Sequence, residues 1–245
     1  MINMIKEIEG IVISEQDYKE SSKIIKVITK EGIISLIAKG SRKLKSDLRI
    51  TTTKLTYGLF NIYYKKDNLS TLKEVDIINN FKNIKKDINK ISYASYLLEL
   101  ASQVIKQNNN KEIFELLVSS LNKIDEGFDP LVITNILELK YLDFLGVMPI
   151  IDECSLCGSK QSIATISGRN GGYICNNCLT NEKIVDEKTI KLIRMFYYVE
   201  ISKISKLEIS DKIKNEINDF LDEYYDKYTG LYLKTKTFLK NLHKL

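Results

Sequence analysis

The sequence predicts an α+β chain in two parts, a small barrel or sandwich of short strands followed by helices, with a cysteine-rich insertion in the helical part. Three observations carry this expectation. Residues 1–80 hold five short β-rich runs separated by turns. After Phe81, apolar residues recur at three- and four-residue spacing. Residues 154–178 place four cysteines as Cys-x2-Cys, 17 intervening residues, Cys-x2-Cys.

The strand runs are 8–13, 24–28, 33–38, 55–64 and 69–78. Lys30-Glu31-Gly32 between the second and third reads as a hairpin turn, with Gly32 supplying a positive φ. Five such strands fit a small barrel or a sandwich. Residues 91–106, 111–124 and 130–145 follow as helices. In the third, Leu131, Ile136, Leu137, Leu139, Tyr141, Leu142 and Leu145 form a broad apolar face. Asp129 is its N-cap candidate, Pro130 a first-turn residue and Gly146 its stop. After the cysteines, helices are expected over 189–202, 211–228 and 231–242. Ile213, Ile217, Phe220, Leu221 and Tyr224 form the apolar stripe of the second of these. The expected division is a barrel over 1–80 and a helical domain over 81–245, with 150–182 inserted in it.

The composition excludes some classes. Hydrophobic residues are 44% and charged residues 28%, ordinary for a soluble globular protein. No apolar run reaches the length of a membrane span. The first ten residues carry Lys6, Glu7 and Glu9 and lack the apolar core of a secretory signal, so a cytoplasmic location is expected. Net charge is +5, divided as +4 over 1–80, −3 over 81–153 and +4 over 154–245. Position matters more than number here, because 33 of the 37 basic residues are lysine in a Lys-, Ile- and Asn-biased chain.

Cys154, Cys157, Cys175 and Cys178 are all the cysteines in the chain. Two residues between cysteines let a tight turn aim both sulfurs at one ion, and two such turns complete a tetrahedron. This is zinc-ribbon spacing, and it predicts one structural Zn²⁺. Gly158, Gly171 and Gly172 let the backbone fold closely around it. Disulfides or inert free thiols are the alternatives; a reducing compartment disfavours the disulfides, and two pairs at this spacing argue against a redox pair. Four thiolates leave no open position for a metal-bound water, so catalysis by this ion is not expected. No Gly-rich phosphate loop or closely spaced carboxylate motif occurs, and the single histidine is His243. No catalytic residue and no small-molecule substrate are expected.

Residues 39–49 hold Lys39, Arg42, Lys43, Lys45 and Arg49 against one acid, Asp47. A mobile basic loop beside a small barrel suits contact with nucleic-acid phosphates. Tyr57, Phe60, Tyr63 and Tyr64 on nearby strands offer faces on which bases stack, although core packing is the better expectation for each one. A second basic stretch, Lys227, Lys234, Lys236, Lys240 and Lys244, has no acid after Asp226. Lys234, Lys236 and Lys240 there form a possible secondary basic face, with a solvated helix as the plain alternative.

In chain order, several segments resemble one family, the bacterial recombination mediator RecO. Residues 10–13 and 17–25 resemble its opening strand and turn, and Ala38-Lys39-Gly40-Ser41-Arg42-Lys43 its barrel signature. Residues 137–149 resemble the helix leading to the cysteines, Gly171-Gly172-Tyr173-Ile174-Cys175 the second knuckle, and residues 233–239 the closing helix. The resemblance implies an oligonucleotide-binding (OB) barrel followed by a helical domain with an inserted four-cysteine zinc ribbon. It implies a non-enzymatic DNA repair function: binding single- and double-stranded DNA and annealing complementary strands. It also implies RecR and the C-terminal tail of the single-stranded-DNA-binding protein (SSB) as partners, RecA loading on SSB-coated DNA, and association with the nucleoid when acting. An RNA-binding zinc-ribbon protein and a protein-interaction adaptor are the alternatives.

Overall fold

The computed structural model describes residues 4–65 and 69–242 of the 245-residue chain. They form two compact units, Met1–Asp87 with Leu98–Glu115, and Ile88–Leu97 with Leu116–Leu245.

The first unit contains β1 (Met4–Tyr18), β2 (Ser22–Thr29), β3 (Gly32–Ala38), α1 (Leu48–Thr51), β4 (Tyr57–Tyr64), β5 (Ser70–Asn79) and α2 (Lys82–Lys85). The strands pair in the order β1-β2-β3-β5-β4 and close on β1, which bonds both β2 and β4. Closure removes the open sheet edges. This is the OB-like barrel that the family resemblance implied, within an α+β chain. Its core is Val12, Ile25, Val27, Leu36, Ala38, Phe60, Ile62 and Leu72, all buried. Gly10 and Gly58 face each other across β1 and β4. A Cβ on Gly10 would collide with Val27 and lie 2.8 Å from the Ile28 carbonyl, so a side chain here would push β1 off β2.

All five predicted strands are present, but β1 is far longer than 8–13. Its last third, Ser14–Tyr18, is largely exposed yet still pairs with Ser22–Lys26 of β2. Apolar alternation reports burial and not pairing, so a solvated hairpin arm leaves no period-2 signal.

The chain then runs through α3 (Ile88–Gln107) and α4 (Lys111–Glu126), each contributing to both units. The second unit is built around α5 (Pro130–Phe144). The Asp129 carboxylate accepts hydrogen bonds from the Leu131 (2.9 Å) and Val132 (3.3 Å) amides, and Pro130 occupies the first turn, as predicted. Gly146, at φ +70, follows the helix end. Ten residues of α5 are buried, among them Glu138. The helix packs against α6 (Glu187–Tyr198) and α7 (Asp211–Tyr228), whose predicted apolar stripe is buried. α8 (Lys234–Leu242) closes the described chain. The predicted 189–202 helix ends at Tyr198, because Val199 is extended, and a 3-10 turn follows at Ile201–Lys203.

Between α5 and α6 lie three short strands not expected from sequence: β6 (Ile150–Cys154), β7 (Ile163–Ser167) and β8 (Gly172–Cys175). Their order is β6-β8-β7, parallel in the first pair and antiparallel in the second. Among the described residues, no helix is long and apolar enough to cross a membrane.

Candidate metal centre and nucleic-acid interface

Each cysteine pair sits where a ribbon strand ends and the chain turns. β6 ends at Cys154, and the Gly158 amide donates back to the Cys154 carbonyl at 2.8 Å, with Gly158 at φ +72. β8 ends at Cys175, whose carbonyl accepts from the Cys178 amide at 3.0 Å. Gly172 lets β8 approach β6, since a Cβ there would overlap the Ile150 backbone. The two turns therefore face one another, and all four Sγ atoms lie within 4.8 Å of one another.

That spacing fits a tetrahedral ion. Four Zn–S bonds of about 2.3 Å place the sulfurs about 3.8 Å apart. The Cys157 and Cys175 sulfurs are 3.6 Å apart, well beyond disulfide bonding. Burial disfavours the Cys154 thiolate, but amide donors from Cys175, Leu156 and Cys157 outweigh it and pull its pKa down to about 6. Cys178 is pushed up to about 12 by the neighbouring Cys157 and Cys175 thiols. Protein groups alone thus favour a thiolate at Cys154 and resist one at Cys157 and Cys178, and a bound cation removes that conflict. The donor set is compatible with a metal ion.

The ribbon is fastened to its own unit. The Tyr173 hydroxyl donates to the Ile190 carbonyl of α6 at 2.6 Å. Arg194 pairs with Asp152 at 2.9 Å and Arg169 with Glu223 of α7 at 2.6 Å. Distortion of the cysteine turns would therefore reach both helices.

The basic segment of the barrel is a succession of tight turns leading into α1. It is held down and is not a free loop. Ser41 is fully buried and donates to the Ala38 carbonyl at 2.9 Å. The Arg42 amide donates to the Ser21 carbonyl at 2.9 Å, and the Gly40 amide to the Ser22 hydroxyl at 3.3 Å. Lys39, Arg42, Lys43, Lys45 and Arg49 are all exposed, with Arg49 inside α1. Arg42 is engaged, pairing with Asp17 at 3.2 Å. Lys39, Lys43, Lys45 and Arg49 make no ion pair among the described residues. Of the four aromatics, Phe60 lies in the barrel core, while Tyr57 is buried against Phe81 and Phe114 and hydrogen-bonds Glu9. Tyr63 and Tyr64 are half-buried.

Residues 2–81 match the family described as Recombination protein O N terminal, and residues 85–237 match Recombination protein O C terminal. The chain belongs to the RecO family. It is 35% identical over 241 residues to the DNA repair protein RecO of Listeria innocua serovar 6a, covering 96% of this chain and 94% of that protein. The DNA repair protein RecO of Bacillus pumilus is 34% identical over 247 residues, 99% of this chain and 96% of its own. That of Halalkalibacterium halodurans is 33% identical over 247 residues, 99% of this chain and 97% of its own.

In this RecO-family chain the possible C-terminal basic face requires correction. Lys234 is exposed, but Lys236 points inward, with its side chain only 14% exposed. Its ammonium pairs with Asp222 at 2.8 Å and Glu138 at 3.3 Å and lies over the rings of Tyr225 and Tyr96. Glu138, 2% exposed, also accepts a hydrogen bond from the Tyr96 hydroxyl. Burial raises the Glu138 carboxyl's pKa, while Lys236 and Tyr96 pull against it. Lys236 is thus an internal anchor of α8, because an amine between buried Glu138 and half-buried Asp222 is held by these carboxylates more than by water. The Lys240 side chain, Lys244 and His243 lie outside the described residues. Sequence reasoning missed Glu138 as a buried partner. Its signal was a lone carboxylate between Leu137 and Leu139 in an apolar helix.

Proposed function

We propose that this RecO-family protein is a non-catalytic, DNA-binding recombination mediator that holds and anneals DNA strands. The observation carrying this reading is the cluster of exposed cations on the turn segment of the barrel. Four of them, Lys39, Lys43, Lys45 and Arg49, have no carboxylate partner among the described residues. Cations left without protein partners are available to phosphates, and the counterions released on contact drive binding. Two strands screened by the same cations approach with less repulsion, which favours pairing. Both single- and double-stranded DNA carry backbone phosphates that such cations can neutralise.

One structural Zn²⁺ held by Cys154, Cys157, Cys175 and Cys178 would complete the ribbon and stabilise the helical unit. RecR, the C-terminal tail of SSB and RecA loading on SSB-coated DNA belong to the same reading. They rest on family membership, as does action at the nucleoid in the cytoplasm.

The test is annealing of complementary labelled oligonucleotides by the wild type and by a K39E/K43E/K45E/R49E variant. The reading expects the wild type to speed annealing and the folded variant to lose that acceleration. Equal acceleration by both proteins would refute the assignment of the turn segment.

A further inference from the structure

The basic segment also exposes large aliphatic side chains that its phosphate-binding role does not use. Leu44 is 83% exposed and Ile50 is 65% exposed. Leu44 sits between Lys43 and Lys45, and Ile50 follows Arg49. An isolated exposed aliphatic residue is ordinary. Here, however, both flank cations that form no ion pair among the described residues, on a backbone fixed by successive turns. The Ser46 amide donates to the Lys43 carbonyl at 3.1 Å and the Arg49 amide to the Ser46 carbonyl at 3.0 Å. This framework presents the side chains without a large ordering cost on binding.

We propose that Leu44 and Ile50 are base-contacting residues, apolar wedges that enter between neighbouring bases of a DNA strand whose phosphates Lys43, Lys45 and Arg49 hold. The inference rests on the DNA-binding reading and deepens it. Charge complementarity chooses the occupant: a strand brings phosphates for the cations and apolar base faces for the aliphatics in one repeating unit. Leucine and isoleucine are side chains that part stacked bases in proteins that deform DNA. Because base faces are common to all four bases, the contact would be tolerant of sequence. Parting the stack would expose base edges to a second strand and so serve annealing.

The experiment uses the full chain with a single-stranded oligonucleotide carrying 2-aminopurine, whose emission rises when it is unstacked. Anisotropy of a labelled copy is followed in parallel across a salt series. Wild type, L44S/I50S and L44F are compared, and their thermal midpoints are checked for equality. The proposal expects L44S/I50S to bind about fivefold more weakly. Its slope of log affinity against log salt should equal that of wild type, and its 2-aminopurine response should be lost. L44F should retain that response. If wild type binds with a steep salt slope and L44S/I50S matches it in affinity and emission, the wedge inference falls while the phosphate-binding reading stands. If wild type shows no salt-sensitive binding, both fall. A double variant unchanged on DNA but impaired in binding a protein partner would also overturn the wedge and reassign the patch.

Discussion

Replacing Lys236 by methionine should detach the last helix from its unit. The side chain is 14% exposed and bridges Glu138, 2% exposed, and Asp222, 20% exposed. Methionine keeps the length and apolar stem but removes the charge. Breaking a buried ion pair costs about 3–5 kcal/mol when one charge is left uncompensated. Asp222 is open enough to be rehydrated, and Glu138 can take up a proton, so the expected loss lies at the lower end, about 3 kcal/mol. Urea unfolding followed by circular dichroism measures it. The loss should depend on pH with a definite sign. Without Lys236 the folded pKa of Glu138 moves further above its unfolded value. The stability it contributes is present below the unfolded pKa and disappears as pH rises through the folded one. The penalty of K236M is therefore smaller at acid pH than at neutral pH. A double variant K236M/E138Q should recover part of the loss. A penalty under about 1 kcal/mol, typical of exposed pairs, would refute the burial argument.

Two further outcomes follow from the same physical chemistry. Chelation, or C175S, should remove one metal ion per chain by elemental analysis and lower the thermal midpoint, by about 2–4 °C for each 1 kcal/mol lost. If C175S kept its folding but lost DNA binding, the structural assignment of the ribbon would be wrong. In the barrel, burial works against the Glu9 carboxylate, but the Tyr57 hydroxyl and Lys30 outweigh it and hold its pKa below the ordinary glutamate value. Its contribution is present above the unfolded pKa and is lost as pH falls through the folded one. E9Q should accordingly flatten the acid limb of the stability profile, and an unchanged limb would show that the Glu9 contacts carry no stability.

Much of this architecture was legible in the sequence, for reasons that differ by element. α5 was legible because Asp129, Pro130 and Gly146 mark its ends and its apolar face is broad. The cysteine site was legible because ligand spacing is a local constraint, and the four sulfurs do converge. The ribbon strands were not, because five- and four-residue strands are too short to show a period. The solvated arm of β1 was missed because pairing without burial leaves no apolar pattern. Lys236 was misplaced because its partners Glu138 and Asp222 are 98 and 14 residues away along the chain, and charge counting is blind to such meetings. The basic segment was legible as charge, but its anchoring through buried Ser41 depends on backbone carbonyls that only the fold brings near.

The salt dependence of single-stranded DNA binding tests the central claim most directly. Each phosphate contact to a single strand contributes about 0.7 to the slope of log affinity against log salt, so four cations account for about 3. The account predicts that wild type loses affinity steeply with salt, and that folded K39E/K43E/K45E/R49E binds weakly with a slope shallower by about that amount. Equal affinity and equal slope in the two proteins would contradict it.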